Sequence, residues 1–221
     1  MFAKDFIDNI IAPVKLSDNC LQIITWMEEN KVSQLPVVEK QAYYGMISEQ
    51  EIYNLREPDV AVNEVKNRLR NIAVHKNQYF SDVLHYMVND ELSVLPVLGV
   101  QTDYFGAISQ QSLIRGLHQM HGIHHPGAII VLEVHQNDYM LSQIGQIAEM
   151  NDVKILNLLT QPQQESMLMD IILKTNSEKP DSIISTFERY KYSIKATLSK
   201  KDIEWSELKE HYDYMMNYLN I

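Results

Sequence analysis

Two short segments carry oxygen-bearing side chains at a spacing that chemistry can use. In Ser48-Glu49-Gln50-Glu51 a hydroxyl precedes a carboxylate by three residues, and in Ser109-Gln110-Gln111-Ser112 a second hydroxyl stands where the carboxylate was. At a helix start the first pattern is a capping box, in which each side chain satisfies the other's backbone amide. A carboxylate can also accept several hydrogen bonds at once, whereas a hydroxyl accepts fewer and carries no charge. A third cluster, His118, His121, His124 and His125, places imidazoles where a transition metal could draw them together. However, Gly116, Gly122, Pro126 and Gly127 surround them, a helix aligning His118 with His121 breaks at Gly122, and no cysteine is near. Closed metal sites need four well-placed ligands, so the segment reads as a linker and no metal is expected. The chain contains no P-loop, no Gly-rich dinucleotide fingerprint, no nucleophile elbow and no paired-histidine metalloprotease pattern, so it is read as non-catalytic.

The elements that position the two Ser segments are copies of one another. Ser33-Gln34-Leu35-Pro36-Val37-Val38 returns as Ser93-Val94-Leu95-Pro96-Val97-Leu98, displaced by sixty residues. Upstream, Cys20, Ile23, Ile24 and Met27 mark one helix face, and Phe80, Val83, Leu84 and Met87 mark it again. Ser17 and Asn77 stand where N-caps are expected. Downstream, Gly45-Met46-Ile47-Ser48 returns as Gly106-Ala107-Ile108-Ser109 at a displacement of sixty-one, which puts a one-residue insertion in the intervening turn. Each copy therefore reads strand (near Val14 or Val74), helix, strand, strand, closing helix. Pro36 and Pro96 lack an amide donor and are expected at a strand start or on an unpaired edge, where a ligand can approach.

This repeat closely resembles the CBS domain. The typical unit carries a helix ending in Met, then Ser/His-x-Leu-Pro-Val-Val, then a Gly-Ile-Val-[Ser/Thr]-x-x-Asp junction. The resemblance covers roughly residues 1 to 118, with the pair placed at 1–122 and its repeats at about 1–58 and 59–122. It implies that the two repeats pack into a pseudo-symmetric Bateman module with two clefts that take AMP, ATP or S-adenosylmethionine, and that modules pair as homodimers. By the same resemblance the junction residues Ser48 and Glu51, and Ser109 and Ser112, hold ribose hydroxyls. Val14, Gln34, Leu35 and Pro36 from the first copy and Val74, Val94 and Pro96 from the second line the clefts, and Arg115 faces phosphate. Two departures stand out: Glu51 is one methylene longer than the family's aspartate, and Ser112 replaces it outright. Ser48 and Glu51 are equally explained as a cap without ligand.

From Gly127 the pattern changes to strand (Ala128 to Val134), helix (Met140 to Met150), two strands (Lys154 to Leu159, Met167 to Lys174), helix (Asp181 to Tyr190) and strand (Ser193 to Leu198). That order is the ferredoxin-like β-α-β-β-α-β motif. The segment, roughly 126–199, resembles ACT domains, and a CBS pair followed by an ACT domain is similar to the acetoin-utilisation regulatory type. The resemblance implies that Gln136, Asn137, Asp138 and Tyr139 stand at the turn where such domains meet a small metabolite, although the usual Pro-Gly is absent. The alternative is that Asn137 or Asp138 simply caps the following helix. Residues 200–221 read as an amphipathic helix, with Ile203, Leu208, Tyr212, Met215, Met216 and Leu219 as its apolar stripe.

Composition narrows the classes. A net charge of -10 argues against a nucleic-acid partner. The N-terminus carries Asp5 and Asp8 where a secretory signal would be basic and then apolar. The run Ala128 to Leu132 is too short to span a bilayer, so no membrane partner is expected. The single cysteine, Cys20, fits a reducing compartment, taken to be the cytoplasm. The whole is α/β in the α+β sense: a tandem CBS pair, an ACT-like domain and a C-terminal helix. The reading is a regulatory sensor with a small-molecule effector, an unknown protein partner and no required cofactor. The alternative is a ligand-free scaffold that acts through homodimerisation and partner docking.

Overall fold

The computed structural model describes residues 1–120, 125–164 and 166–199. The chain divides into two compact units, Met1–Leu117 and His118–Ile221. The linker residues His121 and His124 and the expected helix over 200–221 lie outside the described residues.

In the first unit, the first repeat comprises α1 (Cys20–Asn30), β1 (Gln34–Glu39), β2 (Ala42–Ser48) and α2 (Glu49–Tyr53). The second comprises β3 (Val74–His75), α3 (Phe80–Asn89), β4 (Val94–Leu98), β5 (Tyr104–Ser109) and α4 (Gln110–Met120). β1 pairs antiparallel with β2 and β4 with β5, and each ladder has an irregularity at the same point, Val37/Val38 and Val97/Leu98. Val14 pairs in parallel with Val37, as Val74 does with Val97. The expected helix faces are the buried ones: Cys20, Ile23 and Met27 on α1, and Phe80, Val83 and Met87 on α3.

Both helices begin later than the caps expected from sequence. Asn19, not Ser17, caps α1 by accepting from Leu21 N, while Tyr79 precedes α3 without a side-chain cap. The cause is a turn between first strand and helix. Asp18 accepts from Lys15 N at 2.8 Å, and its counterpart Gln78 accepts from His75 N at 2.6 Å. Pro36 also departs from expectation, sitting third in the six-residue strand β1 and opposite Met46. Its carbonyl accepts from Val14 N at 2.9 Å, so its donor-less nitrogen lies on the side where the short parallel pairing with Val14 begins, and no ladder bond is lost.

The repeats exchange their leading segments. The chain entering the second repeat lies on the first: Cys20 N donates to Val60 O, Val62 N to Asp18 O, and Met46 and Arg70 exchange both backbone bonds at 2.8 and 3.0 Å. The chain entering the first repeat lies on the second in the same way: Phe80 N donates to Met1 O, Ala3 N to Gln78 O, and Asp8 N to Ala107 O at 2.8 Å. Each segment anchors through a 3-10 turn, Ala3–Phe6 or Val62–Arg68, that buries Phe6 or the pair Val62 and Val65. Burying each such side chain stabilises the unit by about 1.5–3 kcal/mol.

The second unit runs β6 (Ile129–His135), a 3-10 turn (Gln136–Asp138), α5 (Leu141–Met150), β7 (Ile155–Pro162), β8 (Leu168–Thr175), α6 (Asp181–Arg189) and β9 (Ser193–Leu198). Its sheet has the order β7-β8-β6-β9, antiparallel throughout. Alternation along β6 and β8 sends Ile130, Leu132, Ile171 and Leu173 into a core with Ile144 and Ile147 of α5 and Ile183 and Phe187 of α6. Asn137 and Asp138 belong to the 3-10 turn, and the residue before α5 is Met140, which offers no capping side chain. The capping role expected of them is therefore not what they do, because the extra turn separates them from the helix.

Candidate functional site

The two Ser junctions fold alike and differ in where their carboxylate comes from. In the first, Ser48 Oγ donates to Glu51 Oε2 at 3.0 Å, Ser48 N donates to the same oxygen at 3.0 Å, and Glu51 N donates to Ser48 Oγ at 3.2 Å. This is the closed capping box, and one oxygen of the carboxylate takes both bonds.

In the second junction Ser112 closes the cap with neutral groups: its hydroxyl donates to Ser109 O at 2.9 Å and accepts from Ser109 N at 3.1 Å. The Ser109 hydroxyl instead donates to Asp8 Oδ2 at 2.5 Å. Asp8 arrives on the exchanged N-terminal segment, held there by its backbone bond to Ala107, and both side chains are buried. Together they line a cleft of about 340 Å³ walled by Ile10, Ile11, Val32 and Ile114. The cleft therefore joins the entry to the first repeat, the end of α1 and the start of α4.

Two further cavities are related by the repeat. One of about 400 Å³ lies against α1 and takes in Val14, Leu35, Asp18, Trp26 and Asn30. The other, of about 420 Å³, lies against α3 and takes in Gln78, Tyr86 and Asp90, the counterparts of the last three. Asn30 borders both the α1 cavity and the cleft beside Ser109.

The remaining candidates fall elsewhere. Gln34 Oε1 accepts from Ser93 N and Ser93 Oγ and so ties the repeats together. Val74, Val94 and Pro96 are buried in the strands, and Arg115 is exposed on α4. Asp8, Ile10 and Ile11 were not singled out from the sequence, where nothing marks an isolated aspartate in a leading segment as part of a junction motif. Burial pushes the Cys20 thiol up from its ordinary range, with Glu64 adding to the shift, so this cysteine is not poised as a nucleophile. Among the described residues no group of three or more His, Cys, Asp or Glu is placed to hold a metal ion.

In the second unit Asp138 lines a cavity of about 370 Å³ with Glu133, His135, Gln143, Lys191 and Tyr192. Tyr192 donates to Gln143 Oε1 at 2.8 Å, and burial raises its phenol. Gln136, Asn137 and Tyr139 do not border it. No helix among the described residues is long and apolar enough to cross a membrane.

No family model matches this chain, and no curated protein does. Solved structures do. A CBS domain pair/ACT domain protein from Thermotoga maritima is 17% identical, with a TM-score of 0.47 over 54% of this chain and 98% of that one. The CBS domains of a transcriptional regulator from Streptococcus pneumoniae are 12% identical, with a TM-score of 0.45 over 52% of this chain and 98% of that one. CBSX2 in complex with AMP is 17% identical, with a TM-score of 0.46 over 53% of this chain and 96% of that one.

Proposed function

We propose that the first unit is a CBS domain pair that binds an adenosine-type nucleotide, AMP, ATP or S-adenosylmethionine, and that the chain is a non-catalytic regulator. The observation that carries this reading is the cleft beside Ser109, built by both repeats, with the leading segment of the first laid against the second. Its apolar walls suit a purine, and its buried carboxylate and hydroxyl suit a polar sugar. Because the cleft is assembled from elements of both repeats, a ligand there holds one arrangement of the repeats and disfavours others, which is the coupling a regulator needs. The second unit is read as ACT-like, with the cavity at Asp138 taking a small polar metabolite. Homodimerisation, a protein partner and a cytoplasmic location complete the reading.

Isothermal titration of the full chain with AMP, ATP and S-adenosylmethionine tests it. Saturable heat from one of them at micromolar concentration is expected. The scaffold alternative draws on one observation, the closed Ser48–Glu51 box, in which cap and carboxylate satisfy each other without ligand. Absence of heat from all three nucleotides would overturn the nucleotide reading and leave the scaffold alternative.

A further inference from the structure

We propose that Asp8 supplies the carboxylate of a ribose-binding subsite in the cleft beside Ser109, so that the junction lacking its own acid is completed from the other end of the unit. This deepens the nucleotide reading above and rests on it.

The chemistry of the pair points to a diol. A carboxylate offers about four acceptor positions. On Asp8 one bond comes from Ser109 Oγ to Oδ2, and one from Ile10 N to Oδ1 at 3.1 Å. Each oxygen therefore keeps acceptor capacity, and the residue borders the cleft. Asp8 is 9% exposed, yet neither ion pair found among the described residues includes it. A carboxylate so withdrawn from water needs further donors to offset its desolvation. The two hydroxyls of a vicinal diol are such donors, and they match two oxygens held side by side.

Ser109 and Ser112 cannot do this alone. The Ser109 proton is committed to Asp8 and its oxygen already accepts from Ser112 N at 3.1 Å, while the Ser112 hydroxyl is spent on the Ser109 backbone. The neutral serines shape the junction, and Asp8 brings the charge. By the repeat, the position matching Asp8 is Arg70, whose backbone pairs with Met46 as that of Asp8 pairs with Ala107. Only the second junction therefore receives a carboxylate from the exchanged segment.

The test compares AMP with 2′-deoxy-AMP by titration of the full chain. Wild type is expected to prefer AMP by about tenfold or more, the value of hydrogen bonds to a charged acceptor. Asp8→Asn is expected to weaken AMP by about as much and to reduce that preference to near unity. Adding Ser112→Asp to Asp8→Asn is expected to restore it. A wild type that binds AMP and 2′-deoxy-AMP equally would overturn the proposal without any variant, and so would an Asp8→Asn protein with unchanged affinity and preference. In both cases the nucleotide reading survives. A wild type that binds no adenosine nucleotide overturns both.

Discussion

Ser93 of the second repeat donates its hydroxyl to Oε1 of Gln34 in the first, at 2.7 Å, and its backbone amide reaches the same oxygen at 2.9 Å. Ser93 Oγ in turn accepts from Ser33 N at 2.8 Å. The strand starts of the two repeats are thus locked by one hydroxyl and one amide oxygen, and the pair is asymmetric because Val94 stands where the second repeat would need its glutamine. Ser93→Ala leaves the Ser33 amide unpaired in a half-buried place, at a cost of about 1–3 kcal/mol. A lowered urea midpoint with an unchanged slope is the expected outcome, and Gln34→Ala should behave alike. If the two changes are combined, their costs should fall short of the sum, because both remove the same interaction.

Gly45 sits at a φ of 140°, and a Cβ there would come within 2.8 Å of the Leu69 Cβ and 3.1 Å of the Arg70 carbonyl oxygen. The obstacle is the exchanged segment itself, which passes over β2 at this residue. Gly106, at a φ of 159°, occupies the equivalent place, but its Cβ would meet side-chain atoms only, Ile7 Cδ1 at 2.6 Å and Cγ2 at 2.8 Å. Gly45→Ala is expected to destabilise by about 2–4 kcal/mol and Gly106→Ala by distinctly less, since only the first has to move backbone. Equal thermal shifts for the two variants would contradict this account of why the Gly-x-Ile-Ser junction carries glycine.

The repeat was legible because its signals are side-chain signals: apolar residues at helical spacing, Leu-Pro-Val strands, and serine before each closing helix. The exchange of leading segments was not, because it is carried by backbone bonds such as Cys20 N to Val60 O and Phe80 N to Met1 O, which any residue can make. The sequence does not mark Asp8 as a site residue, for a related reason. It meets Ser109 across 101 residues, and no local pattern records that approach. The helices start two positions beyond the caps that the sequence predicts, because Asp18 and Gln78 close a turn that propensity alone assigns to the helix. In the second unit the helix periods place both helices to within a residue, whereas neither the ligand-turn nor the capping expectation for Gln136–Tyr139 includes the 3-10 turn at Gln136–Asp138.

Tyr43 and Tyr104 hold matching places in the two repeats and end differently. Tyr43 donates to Ile72 O at 2.7 Å, whereas the buried Tyr104 hydroxyl meets no hydrogen-bond partner among the described residues. Burial pushes both phenols well above their ordinary range. Removing a satisfied hydroxyl costs stability, whereas removing an unsatisfied one relieves a desolvation penalty. Tyr43→Phe is therefore expected to lose about 1 kcal/mol, and Tyr104→Phe to be neutral or to gain up to about 1 kcal/mol. Chemical denaturation of the two variants side by side checks the sign.

In the second unit Lys195 Nζ donates to Asp170 Oδ2 at 2.6 Å, while Gln163 Nε2 bridges Asp170 Oδ1 and Glu133 Oε2 at 2.9 and 3.0 Å. The hydrogen bond from Lys195, with that from Gln163, holds the Asp170 carboxyl below the usual carboxylate range, and the bond to Asp170 holds the ammonium above its own. A carboxyl whose folded pKa lies below its unfolded one contributes stability above the unfolded value and loses it as pH falls through the folded one. The lysine, shifted upward, contributes below its unfolded value and loses that contribution as pH rises through the folded one. Wild type should therefore exceed Asp170→Asn in urea midpoint at neutral pH, and the gap should close on acidification through the carboxylate range. At alkaline pH it should narrow again as Lys195 deprotonates. Because Lys195 is exposed, added salt should shrink the neutral-pH gap too, and a gap indifferent to both pH and salt would contradict a stabilising Lys195–Asp170 pair.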